Sequence, residues 1–156
     1  MKLNYKLLIL CIAIPLFSGA LSSFIAQNSM TTFDLLNKPP LTPPGIIFPI
    51  IWSILYILMG IASYLVLTSG ENANEISIAL TAYGLQLIVN ILWPVFFFRF
   101  NLYLFSFFVI IVLLLFLLRT IRLFYDIFKT SAYLLIPYLL WVTFAAYLNL
   151  GFVVLN

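Results

Sequence analysis

The sequence contains no histidine and a single cysteine, and only four of its 156 residues are acidic. Without histidine there is no ordinary general base near pH 7 and no imidazole ligand for haem or zinc. Cys11 cannot form an internal disulfide, and its apolar neighbours disfavour the thiolate that a nucleophile needs. Acid–base, nucleophilic and metal catalysis are therefore poorly supplied, and we expect no metal site and no required cofactor.

Charge is scarce as well, since charged residues make up 7% of the chain. This is too few for a nucleic-acid footprint, so we expect no nucleic-acid partner. The acidic residues all lie at predicted helix ends or in loops, which argues against a proton relay through a membrane. Hydrophobic residues make up 65% of the sequence, whereas about 45–50% is usual for a soluble domain. Lipid is the expected solvent for this chain.

Long uncharged runs divide the sequence into candidate membrane helices, each of which needs about 20 apolar residues. They predict an all-α integral membrane protein: one domain over residues 1–156, folded as a bundle of five transmembrane helices. We expect these helices near 6–26, 44–68, 76–97, 102–124 and 131–154. The first could instead be a cleavable signal peptide, but its apolar run is longer than the 7–15 residues of a signal core.

The distribution of basic residues predicts an orientation for a multi-pass protein of the cell membrane. Five lysines and arginines lie on the side of the N-terminus, and two lie on the other side. Because cytoplasmic loops carry the excess of positive charge, the N-terminus is expected inside and the C-terminus outside.

The predicted first loop, residues 27–43, is long, and it carries the start of the proline-rich stretch NKPPLTPPGIIFPIIWSILY at 37–56. Long ordered loops are often functional, and proline pairs favour an extended path, so the loop is expected to act as a stiff lid. Thr42 is expected to cap the second helix with Pro43 in its first turn. Pro49 is expected to notch that helix by freeing the carbonyl of Gly45.

Helical spacing gathers aromatic, amide and small side chains on faces that we expect to point into the bundle. On the third helix the face ends at Pro94, which is expected to kink the helix and to free the carbonyl of Asn90. The faces contain Gly19, Ser22, Ser23 and Ala26; Phe48, Trp52, Tyr56, Met59 and Ser63; Tyr83, Gln86, Asn90, Trp93 and Phe97; and Tyr138, Trp141, Ala145, Leu148 and Asn149.

Each of these residues also fits ordinary membrane packing, in which small residues and amides join helices and aromatic residues form interfacial belts. Taken together, large aromatic rings beside small residues and a few amides are typical of a pocket for a flat, largely apolar ligand.

Three segments carry a resemblance to a known family: KPPLTPPGIIFPIIWSILYILMG at 38–60, QLIVNILWPVFF at 86–97 and PYLLWVTFAAYLNLGFVVLN at 137–156. They closely resemble the TspO/translocator proteins, also called peripheral-type benzodiazepine receptors or tryptophan-rich sensory proteins, and a bacterial member above all. The resemblance implies a five-helix bundle, commonly a homodimer. It also implies a pocket that binds tetrapyrroles such as protoporphyrin IX and synthetic ligands such as the isoquinoline carboxamide PK11195.

The resemblance implies pocket roles for Ser23, Ala26, Trp52, Asn90, Trp93, Trp141, Ala145 and Leu148, to which the predicted faces add Phe48, Tyr56 and Phe97. The sequence departs from the pattern of the family in two places. The cholesterol-recognition motif that animal members carry at the end of the fifth helix is absent, and the first loop lacks the tryptophans of many bacterial members.

Three functions remain open from the sequence. The first is a receptor-like membrane protein that binds porphyrin and either transports it or takes part in its light- and oxygen-dependent breakdown. The second is a true enzyme, in which Trp52 and Trp141 are candidate electron donors to a photoexcited porphyrin. The third is a structural or partner-binding membrane protein with no ligand chemistry of its own.

Overall fold

A computed structural model describes residues 2–27 and 30–156, and most of these residues lie in helices. Within the described ranges five helical segments are long and apolar enough to cross a membrane, and no strand is present, which confirms the predicted fold class. The helices are α1 (Tyr5–Ile25), α2 (Met30–Leu35), α3 (Ile47–Leu67), α4 (Ala73–Pro94), a π-helical turn (Val95–Arg99), α5 (Tyr103–Ile127), α6 (Lys129–Leu134) and α7 (Ile136–Leu155).

The outer surface of the bundle is apolar, as a lipid-facing surface must be. Large side chains such as Phe17, Phe24, Phe108 and Leu115 are each more than half exposed. Contiguous apolar patches of this kind are rare on soluble monomers. Because the helices satisfy their own backbone hydrogen bonds, the segments can cross the bilayer without exposing unpaired polar groups.

Inside the bundle α1 packs against α3 and α4, while α5 packs against α4 and α7. A glycine permits a very close approach between α1 and α3. A Cβ atom placed on Gly60 would collide with the backbone of Ile12, so α1 and α3 cross nearly backbone to backbone there. Small residues at such crossings are a common means of helix association in membranes.

The start of α3 differs from the prediction. The helix begins at Ile47 rather than near 44, and its cap position, Ile46, makes no side-chain hydrogen bond. Thr42 does not cap it, because the Thr42 hydroxyl instead donates to the carbonyl of Pro39 (2.7 Å). Pro49 is the third residue of α3, where the backbone N–H has no helical partner in any case. The predicted notch at Pro49 is therefore wrong.

The predicted fifth helix is interrupted. Helix α6 ends at Leu134 and α7 begins at Ile136, with Leu135 between them. Pro137 lies at the start of α7 and lacks the N–H that would continue the helix from α6. The single helix expected over 131–154 is thus two helices, and Pro137 causes the interruption between them.

Pro94 ends α4, and the chain continues in the π-helical turn. The N–H of Val95 bonds to the carbonyl of Leu92, so the carbonyl of Ile91 loses its usual partner. Ser22 of α1 fills that place, with its hydroxyl donating to the Ile91 oxygen (3.1 Å). The interruption at Pro94 thus leaves a carbonyl of α4 to which α1 is hydrogen-bonded.

Candidate functional site

A cavity of about 570 Å³ lies between α1, α3 and α4, below the short helix α2. This volume is within the range of about 300–1,000 Å³ that is common for small-molecule pockets. Its walls differ in character. The α1 wall consists of Leu16, Gly19, Ala20, Ser22, Ser23, Ala26 and Gln27, and the α3 side of Gly45, Phe48, Pro49, Trp52, Ser53 and Tyr56.

The wall formed by α3 is aromatic and rigid. The rings of Trp52 and Tyr56 stack with centroids 5.5 Å apart and planes inclined by 26°. On the opposite wall Gly19 makes room for this pair, because a Cβ atom there would collide with the Tyr56 ring. Tyr56 therefore packs directly on Gly19, and the small lining residues Ala20, Ser23 and Ala26 leave a slot beside this contact that suits a flat, apolar molecule.

A chain of buried hydrogen bonds connects the cavity to the centre of the bundle. The Tyr56 hydroxyl donates to Asn90 Oδ1 (2.7 Å), and Asn90 Nδ2 donates to the Tyr138 hydroxyl oxygen (2.7 Å). The Tyr138 hydroxyl donates in turn to Gln86 Oε1 (2.8 Å). Tyr56 and Asn90 line the cavity, whereas Gln86 and Tyr138 lie behind it. This series of hydrogen bonds fixes the orientation of the Tyr56 hydroxyl and the Asn90 amide, two of the polar groups that line the cavity.

Trp93 also lines the cavity and is held from behind. Its Nε1 donates to Asn149 Oδ1 (2.8 Å), and Asn149 Nδ2 donates to the carbonyl of Tyr103 (2.8 Å). The amide therefore ties the indole of α4 to both α5 and α7. A ring anchored in this way loses little rotational freedom when a ligand packs on it.

Helix α2 closes the mouth of the cavity with one side chain. Phe33 is 3% exposed and lines the cavity. Its ring contacts Phe48, Phe98 and Phe152 at centroid distances of 6.1, 5.7 and 5.4 Å. Since these partners come from α3, the π-helical turn and α7, α2 is held over the opening by aromatic contacts on three sides.

Residues 36–44, which we call the docking loop, follow α2 and lie on α7. Asn37 N donates to Asn156 Oδ1 (3.0 Å), and Asn156 Nδ2 returns a bond to the Asn37 carbonyl (2.9 Å). The Tyr147 hydroxyl donates to the carbonyl of Pro40 (2.9 Å). The segment next to the mouth is thus fixed at several points along α7.

The predicted ligand-binding residues fall into two groups. Seven of them line the cavity: Ser23, Ala26, Phe48, Trp52, Tyr56, Asn90 and Trp93. The other four do not, and of these Phe97, Ala145 and Leu148 are buried in the core. The fourth, Trp141, lies behind Phe48 with ring centroids 5.8 Å apart. Its buried Nε1 has no hydrogen-bond partner within the described ranges. Trp141 would reach a ligand only if Phe48 moved.

Sequence reasoning missed several lining residues, and Phe33 is the most important. It lies in the predicted first loop, whose sequence shows no helical periodicity that would indicate which side chains point inward. Phe98 was also missed, because the π-helical turn shifts its position away from the spacing expected for a continued α-helix.

Comparison with known proteins gives a consistent result over nearly the whole chain. The model of the TspO/MBR family matches residues 11–155. A tryptophan-rich protein TspO of Chlorobaculum tepidum is 37% identical over 150 residues, covering 96% of this chain and 95% of its own. A protein of the same name from Archaeoglobus fulgidus is 35% identical over 97% of both chains. The dog translocator protein 2 is 32% identical over 86% of this chain and 80% of its own.

Proposed function

The chain belongs to the TspO/MBR family of membrane proteins, and from this membership and the geometry of the cavity we propose that it binds tetrapyrroles such as protoporphyrin IX within the membrane. The macrocycle would occupy the cavity between α1, α3 and α4. Synthetic ligands of the PK11195 type would compete for the same space. No cofactor beyond the ligand itself is required by this proposal.

One observation carries the proposal: the cavity has a stacked aromatic wall facing a wall of small side chains. Trp52 and Tyr56 offer a rigid π surface, and α1 lines the cavity with the small side chains of Ala20, Ser23 and Ala26. Stacking and apolar contact are what a porphyrin ring can offer in return. Neither histidine nor cysteine occurs in the part of the lining that the structure describes, so binding would not depend on ligation of a metal in the ring by those residues.

A matched pair of substitutions on α1 tests the proposal. Ala20 lines the cavity, whereas Ala13, two turns earlier on the same helix, does not, and both are exposed. We expect Ala20→Leu to fill the slot and weaken protoporphyrin IX binding about tenfold, while Ala13→Leu leaves binding unchanged. Quenching of tryptophan fluorescence in nanodiscs gives the dissociation constants. If the parent shows no saturable quenching, the chain is instead a structural or partner-binding membrane protein.

A second candidate activity is light- and oxygen-dependent breakdown of the bound porphyrin. The observation in its favour is that Trp52, an oxidisable side chain, lines the cavity directly. Besides stacking on Tyr56, the Trp52 ring lies beside that of Tyr138, with the ring centroids 6.1 Å apart. A radical on the indole would therefore have two phenol side chains as neighbours. Transport and sensing make no such demand on Trp52.

We also propose a homodimer as the working assembly, and an N-terminus inside with the C-terminus outside. The family membership supports the first, and the excess of basic residues at one end of the bundle supports the second. Mass measurement in detergent tests the assembly. Labelling of single cysteines placed at either end of α4, in a Cys11→Ala background and from one side of sealed vesicles, tests the orientation.

A further inference from the structure

A second groove, which shares no lining residue with the cavity, lies between the first half of α4 and the second half of α5. Its volume is about 240 Å³, and it is lined by Ser77, Ile78, Thr81, Ala82, Leu85, Phe116 and Arg119. We propose that this groove binds one anionic phospholipid, with the phosphate at Arg119 and an acyl chain along the apolar part. This site is independent of the porphyrin cavity.

The polar end of the groove offers unused hydrogen-bond donors. Within the described ranges the Arg119 guanidinium makes no ion pair and no hydrogen bond, and the hydroxyl of Ser77 likewise has no partner. Glu75, which precedes Ser77 by two residues, does not come within 4.0 Å of Arg119. An arginine fork beside a free hydroxyl can hold a phosphate, and charge-assisted bonds of this type are strong.

The groove becomes apolar in the direction of the bilayer centre. Ser77 lies near the start of α4, and Leu85 lies two turns deeper along it. On α5, Arg119 is nearer the helix end than Phe116. Both helices therefore order their side chains from polar at the membrane boundary to apolar at depth. A phospholipid has the same order of headgroup and chain, whereas a free phosphate ion would use only the outer part.

The surroundings favour a negative headgroup over a neutral one. Arg122 and Lys129 lie at the same end of the bundle and also make no ion pair within the described part of the chain. The five basic residues at this end outnumber its three acidic residues, Glu71, Glu75 and Asp126. Basic residues near a membrane surface attract anionic lipid. This general attraction concentrates anionic lipid at that end, and the groove supplies the specific contact.

The experiment compares two arginines of one helix. Arg119→Gln and Arg122→Gln remove the same charge from α5, but only the first residue lines the groove. Native mass spectrometry of the detergent-solubilised protein, titrated with phosphatidylglycerol or phosphatidylcholine, counts the lipids retained. We expect one phosphatidylglycerol to bind preferentially, and Arg119→Gln to weaken this binding about tenfold more than Arg122→Gln does. Arg119→Lys, with its charge kept, should fall between the two.

Further arms decide against the alternatives. Equal losses in the two Gln variants would mean a diffuse electrostatic effect and would overturn the site. Displacement of the lipid by inorganic phosphate at matched concentration would show that the acyl chain contributes nothing and would overturn it too. Helical content by circular dichroism identifies a variant that fails to fold, and Ser77→Ala then provides the test, with a smaller expected loss.

Discussion

Pro39 of the docking loop rests directly on Gly151 of α7, so closely that a Cβ atom on residue 151 would lie 2.5 Å from the proline Cβ. No side chain fits there without movement of the loop. The contact lies among the hydrogen bonds of Asn37 and Tyr147, which hold the same loop to the same helix. The position of the docking loop thus depends on the absence of one methyl group.

The first prediction is that Gly151→Ala loosens the docking loop from α7. Overpacking of a close contact costs about 1–3 kcal/mol, and here the strain is relieved when the docking loop lifts from α7. We expect protoporphyrin IX to dissociate about tenfold faster, with the helices intact. Stopped-flow measurement of porphyrin release in nanodiscs gives the rate. Gly84→Ala is the control, because a Cβ atom on Gly84 would meet nothing within 4 Å. An unchanged rate for Gly151→Ala would show that the loop does not gate the cavity.

The second prediction separates the two amides of the buried chain. Asn90→Leu removes the acceptor of the Tyr56 hydroxyl at the cavity wall, so we expect porphyrin affinity to fall about tenfold. Hydrogen bonds between membrane helices average about 0.6 kcal/mol, so the bundle should survive. Gln86→Leu breaks the same chain behind the wall and should lower stability similarly, with affinity per folded molecule nearly unchanged. Equal affinities for the two variants would make Asn90 a packing residue only.

Much of this architecture could be predicted from sequence because membrane burial imposes simple patterns. Apolar runs of about twenty residues indicate membrane-spanning helices. A spacing of three and four residues correctly predicted that Gln86, Asn90 and Trp93 lie on one buried face. The prediction that Thr42 caps α3 was wrong because a threonine before a proline also fits a tight turn. Leu41, with a φ of 70°, lies in such a turn. The docking of Asn37 on Asn156 joins residues 119 positions apart, and no local pattern indicates it. Phe33 was hidden for the same reason.

The third prediction concerns the carboxylates of protoporphyrin IX. Among the residues that the structure describes, none that lines the cavity is charged, so these groups would emerge at the mouth. Lys38 lies there, 3.6 Å from Asp34 and 5.0 Å above the ring centroid of Phe33. Because exposed ion pairs contribute about 0–1 kcal/mol, Lys38→Gln should weaken protoporphyrin IX binding about two- to fivefold.

A control variant and a control ligand sharpen this test. Lys129 lies over Tyr125 at the opposite end of the bundle, so Lys129→Gln removes the same charge without approaching the mouth. PK11195 has no carboxylate, and its affinity should not change in either variant. Competition binding with both ligands measures the effect. A parallel loss for PK11195 in Lys38→Gln would indicate a disturbed lid rather than a lost carboxylate contact.

The last prediction asks whether tryptophan takes part in porphyrin chemistry. Trp52 faces the cavity, whereas Phe48 stands between the cavity and Trp141. If an indole donates an electron to photoexcited porphyrin with oxygen as the final oxidant, the indole in direct contact should matter more. Trp52→Phe should slow the light-driven loss of bound porphyrin several-fold, and Trp141→Phe should slow it less. Porphyrin absorbance is followed in light, in darkness and without oxygen, at saturating ligand so that affinity does not enter. The same rate in both variants and in the parent would exclude a tryptophan donor. A larger effect at Trp141 would mean instead that Phe48 swings aside when the ligand binds and that the occupied cavity extends toward α7.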